Sequence, residues 1–299
     1  MPESYHQDTK TPFGSGAGQS PIVHRKSTIR ARNFPIHLLL VIGGIAMVLP
    51  FFWMLSTSLK APLEALKFPP TWLPSSPQFQ NYAEVFRQIP LWRYLFNTVL
   101  VAFLTLTGVL VTGIMAAYAF ARFRFPGREV LFMGFLALMM IPLPVYLVPS
   151  YTMLFKLGWI DTYAAMIVPW IVNIFAIFLL RQHIRQLPQD LFDAARIDGC
   201  SDFRTLVKIV LPLCKPPLVT IMVFNVISSW NSFFWPLIVT NSDKIRPLQV
   251  GLAYFSREQS TNYTLLMAAT TLAIIPLIVL FFAAQKQIIQ SQARSGLKE

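Results

Sequence analysis

The sequence has little charge. Asp, Glu, Lys and Arg make up 13% of its 299 residues, where soluble domains carry roughly 25%. With 55% hydrophobic residues and a mean hydropathy of +0.53, that deficit argues against a water-soluble domain and for a bilayer as solvent. Cysteine is almost missing. Cys200 and Cys214 are the only two, with no C-x-x-C pair and no histidine nearby, a pattern that speaks against a zinc site. The histidines, His6, His24, His37 and His183, lie in tails or near the ends of apolar stretches, none with a second His at ligand spacing. No G-x-x-x-x-G-K-[ST] occurs, so the sequence carries no phosphate loop of that type. The early "FGSGAGQS" lacks the lysine and the flanking strand and helix of a phosphate loop, and reads as part of a flexible tail. Acids are scarcer than bases, 13 against 25, giving a net charge of +12. In a soluble protein that excess suggests nucleic acid. In a membrane protein, loops on the cytoplasmic side collect Lys and Arg.

What is abundant is uncharged sequence of membrane length. Six stretches, bounded by Arg32 and Lys60, Arg93 and Arg122, Glu129 and Lys156, Asp161 and Arg181, Lys215 and Asp243, and Glu258 and Lys286, reach the roughly 20 residues a spanning helix needs. The third is expected to end early, at the proline-rich "IPLPVYLVP". The fourth is the shortest. Most of the 25 bases fall in the two tails, in the loop Arg122–Arg128 and in the segment Arg181–Lys215, which predicts both termini and that segment on the cytoplasmic side. If so, both cysteines are reduced thiols. The first stretch is too long for a signal-peptide core and lacks a small-residue cleavage site, so it reads as an uncleaved anchor. In the long loop between the first two stretches, "KFPPTWLPSSP" is too rich in proline to be helical, and helical spacing resumes at "FQNYAEVF".

The stretches themselves lack Asp, Glu, Lys and Arg. A proton- or ion-coupled carrier commonly needs ionisable relays within the membrane, and a membrane enzyme needs a nucleophile and base or metal ligands. Both classes are disfavoured. The polar residues present are neutral. Asn225, Ser228, Ser229 and Ser232 share one helical face of the fifth stretch. They read either as the wall of a hydrated path for a polyol or as interhelical hydrogen-bonding groups, and the sequence weighs these evenly. Gly108, Thr112 and Ala116, four apart, read as a packing face.

One segment stands apart. "LPQDLFDAARIDGCSDFRTLVKIVLPLCKPP", residues 187–217, is charged and amphipathic between apolar runs. Pro188 suits a helix start, Asp190 and Asp193 suit its N-terminus, and Asp193 and Arg196 are spaced to pair. Gly199 is the natural stop. Ser201 or Asp202 suits the cap of a second helix, with Phe203, Leu206, Val207 and Val210 as its apolar stripe and Pro212 as its end. The segment is predicted to be two short helices meeting at Gly199, with Ala194, Ala195 and Gly199 keeping one surface low. A solvated loop is the plain alternative.

"DAARIDGCSDFRTLVKIVLP" resembles the EAA loop of ABC-importer permeases, E-A-A-x-x-D-G-A followed after a spacer by I-x-L-P. Ala194, Ala195, Asp198, Gly199, Ile209, Leu211 and Pro212 match. Asp193 replaces Glu, Cys200 replaces Ala and Leu206 replaces a frequent Phe. "SWNSFFWPLIVTNSDKIRPLQVGLAYF", "NYTLLMAATTLAIIPLIVLFFAAQKQ" and the ending "SGLKE" are similar to carbohydrate-uptake permeases of the maltose type. The resemblance implies an all-α membrane protein with six transmembrane helices of the type I ABC importer permease fold and a cytoplasmic coupling-helix loop. The expected organisation is a disordered cytoplasmic tail at 1–32, a first transmembrane helix at 33–59, an external loop at 60–93, and a five-helix core at 94–285. The EAA loop lies at 182–217 and a short cytoplasmic tail at 286–299. The implied partners are a second permease subunit, a pair of ATPase subunits that hold ATP and Mg, and an external solute-binding protein, at a bacterial inner membrane. Asp193, Ala194, Ala195, Asp198, Gly199, Leu211 and Pro212 would couple to the ATPase. A permease for a peptide or amino acid is the alternative, and the maltose-like C-terminal third disfavours it.

Overall fold

The computed structural model describes residues 34–256 and 262–296. Among them all regular structure is helical and no strand occurs. The expected tail at 1–32 and the last residues, 297–299, lie outside the described residues. Contacts divide the chain into residues 1–51, which hold the N-terminal part of the first helix, and residues 52–299.

Helix α1 (Phe34–Ser58) is followed by α2 (Pro62–Ala65) and α3 (Gln80–Gln88). The proline-rich 67–77 between them is non-helical, as its composition demands. The longest early helix is α4 (Leu91–Arg122). The third apolar stretch divides into α5 (Arg128–Leu138) and α6 (Leu143–Lys156), bent by 98°. The bend falls at Pro142, which has no amide to extend a helix. The fourth stretch is α7 (Tyr163–Ile167), a 3-10 turn (Val168–Trp170) and α8 (Ile174–Arg185). Thr162 and Asn173 cap the two helices, their side-chain oxygens accepting from the amides of Ala165 and Ala176.

The charged segment forms α9 (Gln189–Ile197) and α10 (Asp202–Leu213), the latter with a π turn at Leu206–Val210. After a 78° bend comes α11 (Lys215–Trp230). The fifth apolar stretch is not one helix. It breaks after Trp230 and resumes as α12 (Phe234–Val239). Pro236 has no amide to donate to Ser232, and the side-chain Nδ2 of Asn231 donates to the carbonyl of Ile227 at 2.9 Å. The remaining helices are α13 (Leu248–Leu252), continued by a 3-10 turn (Ala253–Phe255), and α14 (Tyr263–Gly296). The last runs beyond Lys286, where the sequence places the end of the span. Among the described residues, four helices are long and apolar enough to cross a membrane, and six spans result if each bent pair counts as one.

Within residues 52–299, α4 packs along α8 and α11. Small residues of α4 make this possible: a β-carbon at Gly113 would stand 3.6 Å from Ala176 and Leu180 of α8, and one at Gly108 2.5 Å from Cγ2 of Ile171, in the turn before α8. Thr112 Oγ1 donates to the carbonyl of Ile171 at 2.6 Å. The packing reading of Gly108 and Thr112 therefore holds.

Two charges that bound apolar stretches on paper are buried. Lys60 is 2% exposed, donates to the carbonyl of Thr71, and lies 4.4 Å from the centre of the Trp53 ring. Arg181 is also 2% exposed. It meets both carboxylate oxygens of Glu129 at 2.6–2.7 Å and lies 3.8 Å from the centre of the Phe132 ring. A cation leaves water when an ion pair or aromatic face replaces its hydration. Glu129 comes from another helix, and Thr71 from the far side of α2, which is why the pattern hides them.

Candidate functional site

The charged segment is built as two helices around an elbow, as its sequence predicts. Pro188 stands just before α9 rather than in its first turn. Gly199 has φ +70°, the left-handed region that glycine enters without a side-chain clash. The amide of Cys200 donates to the carbonyl of Ala195 at 2.9 Å, and that of Gly199 to Arg196 at 3.0 Å. These bonds form a Schellman turn, which satisfies the last carbonyls of α9. Ser201 caps α10, its Oγ accepting from the amide of Arg204 at 3.3 Å.

The two faces of this elbow differ. Phe192, Leu206, Val210 and Cys214 are buried and share a core with Tyr118 of α4, Leu180 and Ile184 of α8, and Leu218 of α11. Asp193, Ala194, Asp198, Gly199, Leu211 and Pro212 are exposed. Of the expected small-residue surface, Ala194 and Gly199 face outward, whereas Ala195, at 3% exposure, packs inward. The expected stripe of α10 is also divided. Leu206 and Val210 are buried, but Phe203 and Val207 are exposed, Phe203 at 68%; Ile197 at the end of α9 is also exposed, at 86%. Beyond the π turn the buried set continues from Val210 to Cys214, four residues on. Asp193 lies 3.7 Å from Arg196, the spaced pair the sequence predicts, and also accepts from Gln189.

Sequence reasoning missed the residue that seats the elbow. Arg122, the last residue of α4, donates to the carbonyls of Ile184 and Leu187 and to Gln189 Oε1, at 2.9–3.0 Å. Its guanidinium lies 3.4 Å from the centre of the Phe192 ring. It satisfies carbonyls at the end of α8 and holds the start of α9 with the same side chain. In the sequence it counts only as a base at a span end.

The neutral polar face of α11 is partly assembled. Asn225 is buried and its Oδ1 has no hydrogen-bond partner. Ser228 is exposed and Ser229 half-buried on the same helix, while Ser232 lies past its end. Trp235 belongs to packing: it is buried, donates to the carbonyl of Ala165 and meets Trp170 edge-on. Between α11, α13 and α14 a pocket of about 380 Å³ is lined by Asn231, Gln249, Ser256 and Thr270 among apolar side chains.

A family model described as "Binding-protein-dependent transport system inner membrane component" matches residues 108–294. The chain belongs to this family. It is therefore a membrane transport subunit and not an enzyme. The arabinooligosaccharides transport system permease protein AraQ of Bacillus subtilis is 33% identical over 259 residues, 85% of this chain and 92% of that protein. AraQ of Halalkalibacterium halodurans is 34% identical over 75% of this chain and 81% of its own length. The sn-glycerol-3-phosphate transport system permease protein UgpE of Rhizobium meliloti is 32% identical over 85% and 93%. Among solved structures, a chain of a bacterial ABC transporter involved in the import of the acidic polysaccharide alginate superposes with a TM-score of 0.76. It is 25% identical and covers 92% of this chain and 99% of its own. A second chain, from the alginate transporter in complex with its alginate pentasaccharide-bound periplasmic protein, gives 0.62 at 15% identity and shares the fold. The fold is that of an ABC importer permease.

Proposed function

We propose that the chain is one permease subunit of an ATP-driven importer that moves a sugar or polyol delivered by an external solute-binding protein. The observation that carries the coupling role is the two-faced elbow at Gly199. One face is anchored in the core of α4, α8 and α11, and the other presents Ile197, Asp198, Gly199 and Phe203 to whatever docks there. Motion of a docked ATPase would then pass directly to the packed helices. Asp193, Ala194, Leu211 and Pro212 flank this surface. Ala195 contributes by letting α9 lie close to the core.

ATP and Mg belong to the ATPase pair in this reading. A second permease subunit completes the path, and Asn225, Ser228 and Ser229 line part of it. The termini and the elbow are cytoplasmic, and the turn-rich 60–93 is external. The named cargoes of the relatives, arabinooligosaccharides and sn-glycerol-3-phosphate, and the alginate of the solved transporter support a carbohydrate or polyol.

The test is reconstitution of the complete complex in proteoliposomes, reading bound ATPase and solute-stimulated hydrolysis. Gly199→Val strains a left-handed backbone position, φ +70°, without a clash, since no neighbour lies within 4 Å of its would-be β-carbon. Asp198→Lys reverses an exposed charge. Both variants should reach the membrane and lose coupling. Wild-type coupling in both would remove the elbow from the mechanism.

A further inference from the structure

Behind the elbow lies a cavity of about 960 Å³, walled by the end of α4, the turn that follows it, and both helices of the elbow. Its lining includes Arg122, Arg124, Arg128 and Arg196, against Asp202 as the one carboxylate. Two of these arginines already have acidic partners, Arg128 with Glu129, which also binds Arg181, and Arg196 with the exposed Asp193. Arg124 makes no ion pair or hydrogen bond among the described residues, and Arg122 Nε is buried without a partner. We propose that this cavity binds a phosphate ester, namely the headgroup of an anionic phospholipid, which bridges the elbow to the end of α4.

Several independent features select that ligand. Guanidinium forks match phosphate oxygens in pairs, and here four line one cavity, Arg124 without an ion pair or hydrogen bond among the described residues. The depth fits a headgroup. α4 has 32 residues, about 48 Å of helix at 1.5 Å per residue, against a hydrocarbon core of about 30 Å. Its last residue, Arg122, therefore stands beyond the hydrocarbon if the helix spans. Phe123 and Phe125, 41% and 38% exposed, flank the arginines and offer apolar surface to the first methylenes of a lipid. Basic pockets of this kind on the cytoplasmic side hold anionic headgroups. The inference rests on the cytoplasmic placement of the elbow, not on its coupling role, and labelling of Cys200 checks that placement separately.

The experiment uses the complete transporter. Native mass spectrometry counts the phospholipids retained after mild detergent extraction. The delipidated complex is then titrated with phosphatidylglycerol, with phosphatidylcholine and with inorganic phosphate, reading melting temperature. Wild type should retain phosphatidylglycerol and be stabilised by it, not by phosphatidylcholine. Arg124→Gln with Arg196→Gln should weaken that effect by about ten-fold or more, since each base near a membrane surface contributes about 1 kcal/mol toward anionic lipid. Arg124→Lys with Arg196→Lys keeps the charge and should retain most of the effect. Equal melting temperatures of all variants in phosphatidylcholine establish that they fold. Stabilisation by inorganic phosphate alone, lost in the Gln variant, would support a phosphate site but assign its source to solution. No preference for phosphatidylglycerol and no effect of phosphate, or a preference unchanged in the Gln variant, would overturn the proposal.

Discussion

Gly251 lies directly against the ring of Tyr94: a β-carbon built on it would stand 2.1 Å from Tyr94 Cδ2. The ring has no freedom to withdraw. Its hydroxyl donates to Asp243 Oδ1 at 2.7 Å, and Asp243 pairs with Arg246. One turn on, Asn97 Nδ2 donates to the carbonyls of Lys244 and Arg246, and Thr98 Oγ1 accepts from the amide of Leu248. The start of α4 thus holds the whole of 243–251 in place.

Gly251→Ala should therefore destabilise the protein by about 1–3 kcal/mol, the usual cost of forcing a methyl into a filled core. Thermal unfolding of the purified chain measures it. Tyr94→Ala removes the ring, so adding Gly251→Ala to it should cost almost nothing further. That departure from additivity is the signature of the contact. Additive losses would show that the ring relaxes in solution.

The second relationship is electrostatic and asymmetric. Arg181 is buried, with a side chain 3% exposed, while its partner Glu129 is 50% exposed. Glu129→Gln leaves a cation stranded in the core, and a buried charge without a partner is costly. Arg181→Met leaves a carboxylate that water can solvate. The Glu129 variant is expected to melt lower than the Arg181 variant, and the double variant to melt above Glu129→Gln. The reverse order would mean that the pair is solvated on both sides.

These relationships show where the sequence stops being informative. The elbow was legible because its signals are local: Gly199 at a stop, Ser201 at a cap, Asp193 three residues from Arg196. The six apolar stretches were legible from composition. The break at Asn231–Phe233 was not foreseen, though Pro236 marks it. The division of α10 into buried Leu206 and Val210 and exposed Phe203 and Val207 is not encoded in the spacing of the stripe. Arg122, Arg181 and Lys60 were read as boundary charges because their partners, Phe192, Glu129 and Thr71, come from other segments. No periodicity encodes such pairings.

Asp161 offers a test by pH. It has φ +61°, a left-handed conformation that Asp and Asn tolerate. Its Oδ1 accepts from the amides of Asn241 and Ser242 at 2.7 and 2.9 Å. Desolvation pushes its carboxyl upward, but the donated amides of Ser242 and Asn241 outweigh it and hold the group below the ordinary carboxylate range. A depressed folded value means the clasp contributes fully above the unfolded value, about 3.9, and loses its contribution as pH falls through the folded one. Amide exchange at Asn241 and Ser242, corrected for intrinsic pH dependence, should rise on that acid descent. In Asp161→Asn it should be independent of pH there. A pH-independent wild type would remove the carboxylate from the clasp.

Orientation is tested by thiol labelling. Ser75 is exposed in the turn-rich loop, Cys200 is half-buried at the elbow, and Cys214 is fully buried. In whole cells an impermeant thiol reagent should label Ser75→Cys and spare Cys200. After permeabilisation Cys200 should react and Cys214 stay protected. Labelling of Cys200 in intact cells would invert the proposed orientation.

Asn225 separates a path-lining role from a packing role. The residue is 9% exposed and its Oδ1 has no hydrogen-bond partner. An unsatisfied buried carbonyl costs about 1–3 kcal/mol, and a group kept at that cost in a transport protein invites a functional reading. Asn225→Leu has nearly the same shape and removes the unpaired oxygen. If Asn225 serves the solute, its replacement should leave the melting temperature unchanged or raise it while uptake falls, the usual trade between stability and activity. Ser229→Leu, on the same helix face and half-buried, should also lower uptake without lowering the melting temperature. Uptake by the reconstituted complex and thermal unfolding are measured on the same preparations. A lower melting temperature with unchanged uptake per assembled complex would place both residues in helix packing and leave the path to other side chains.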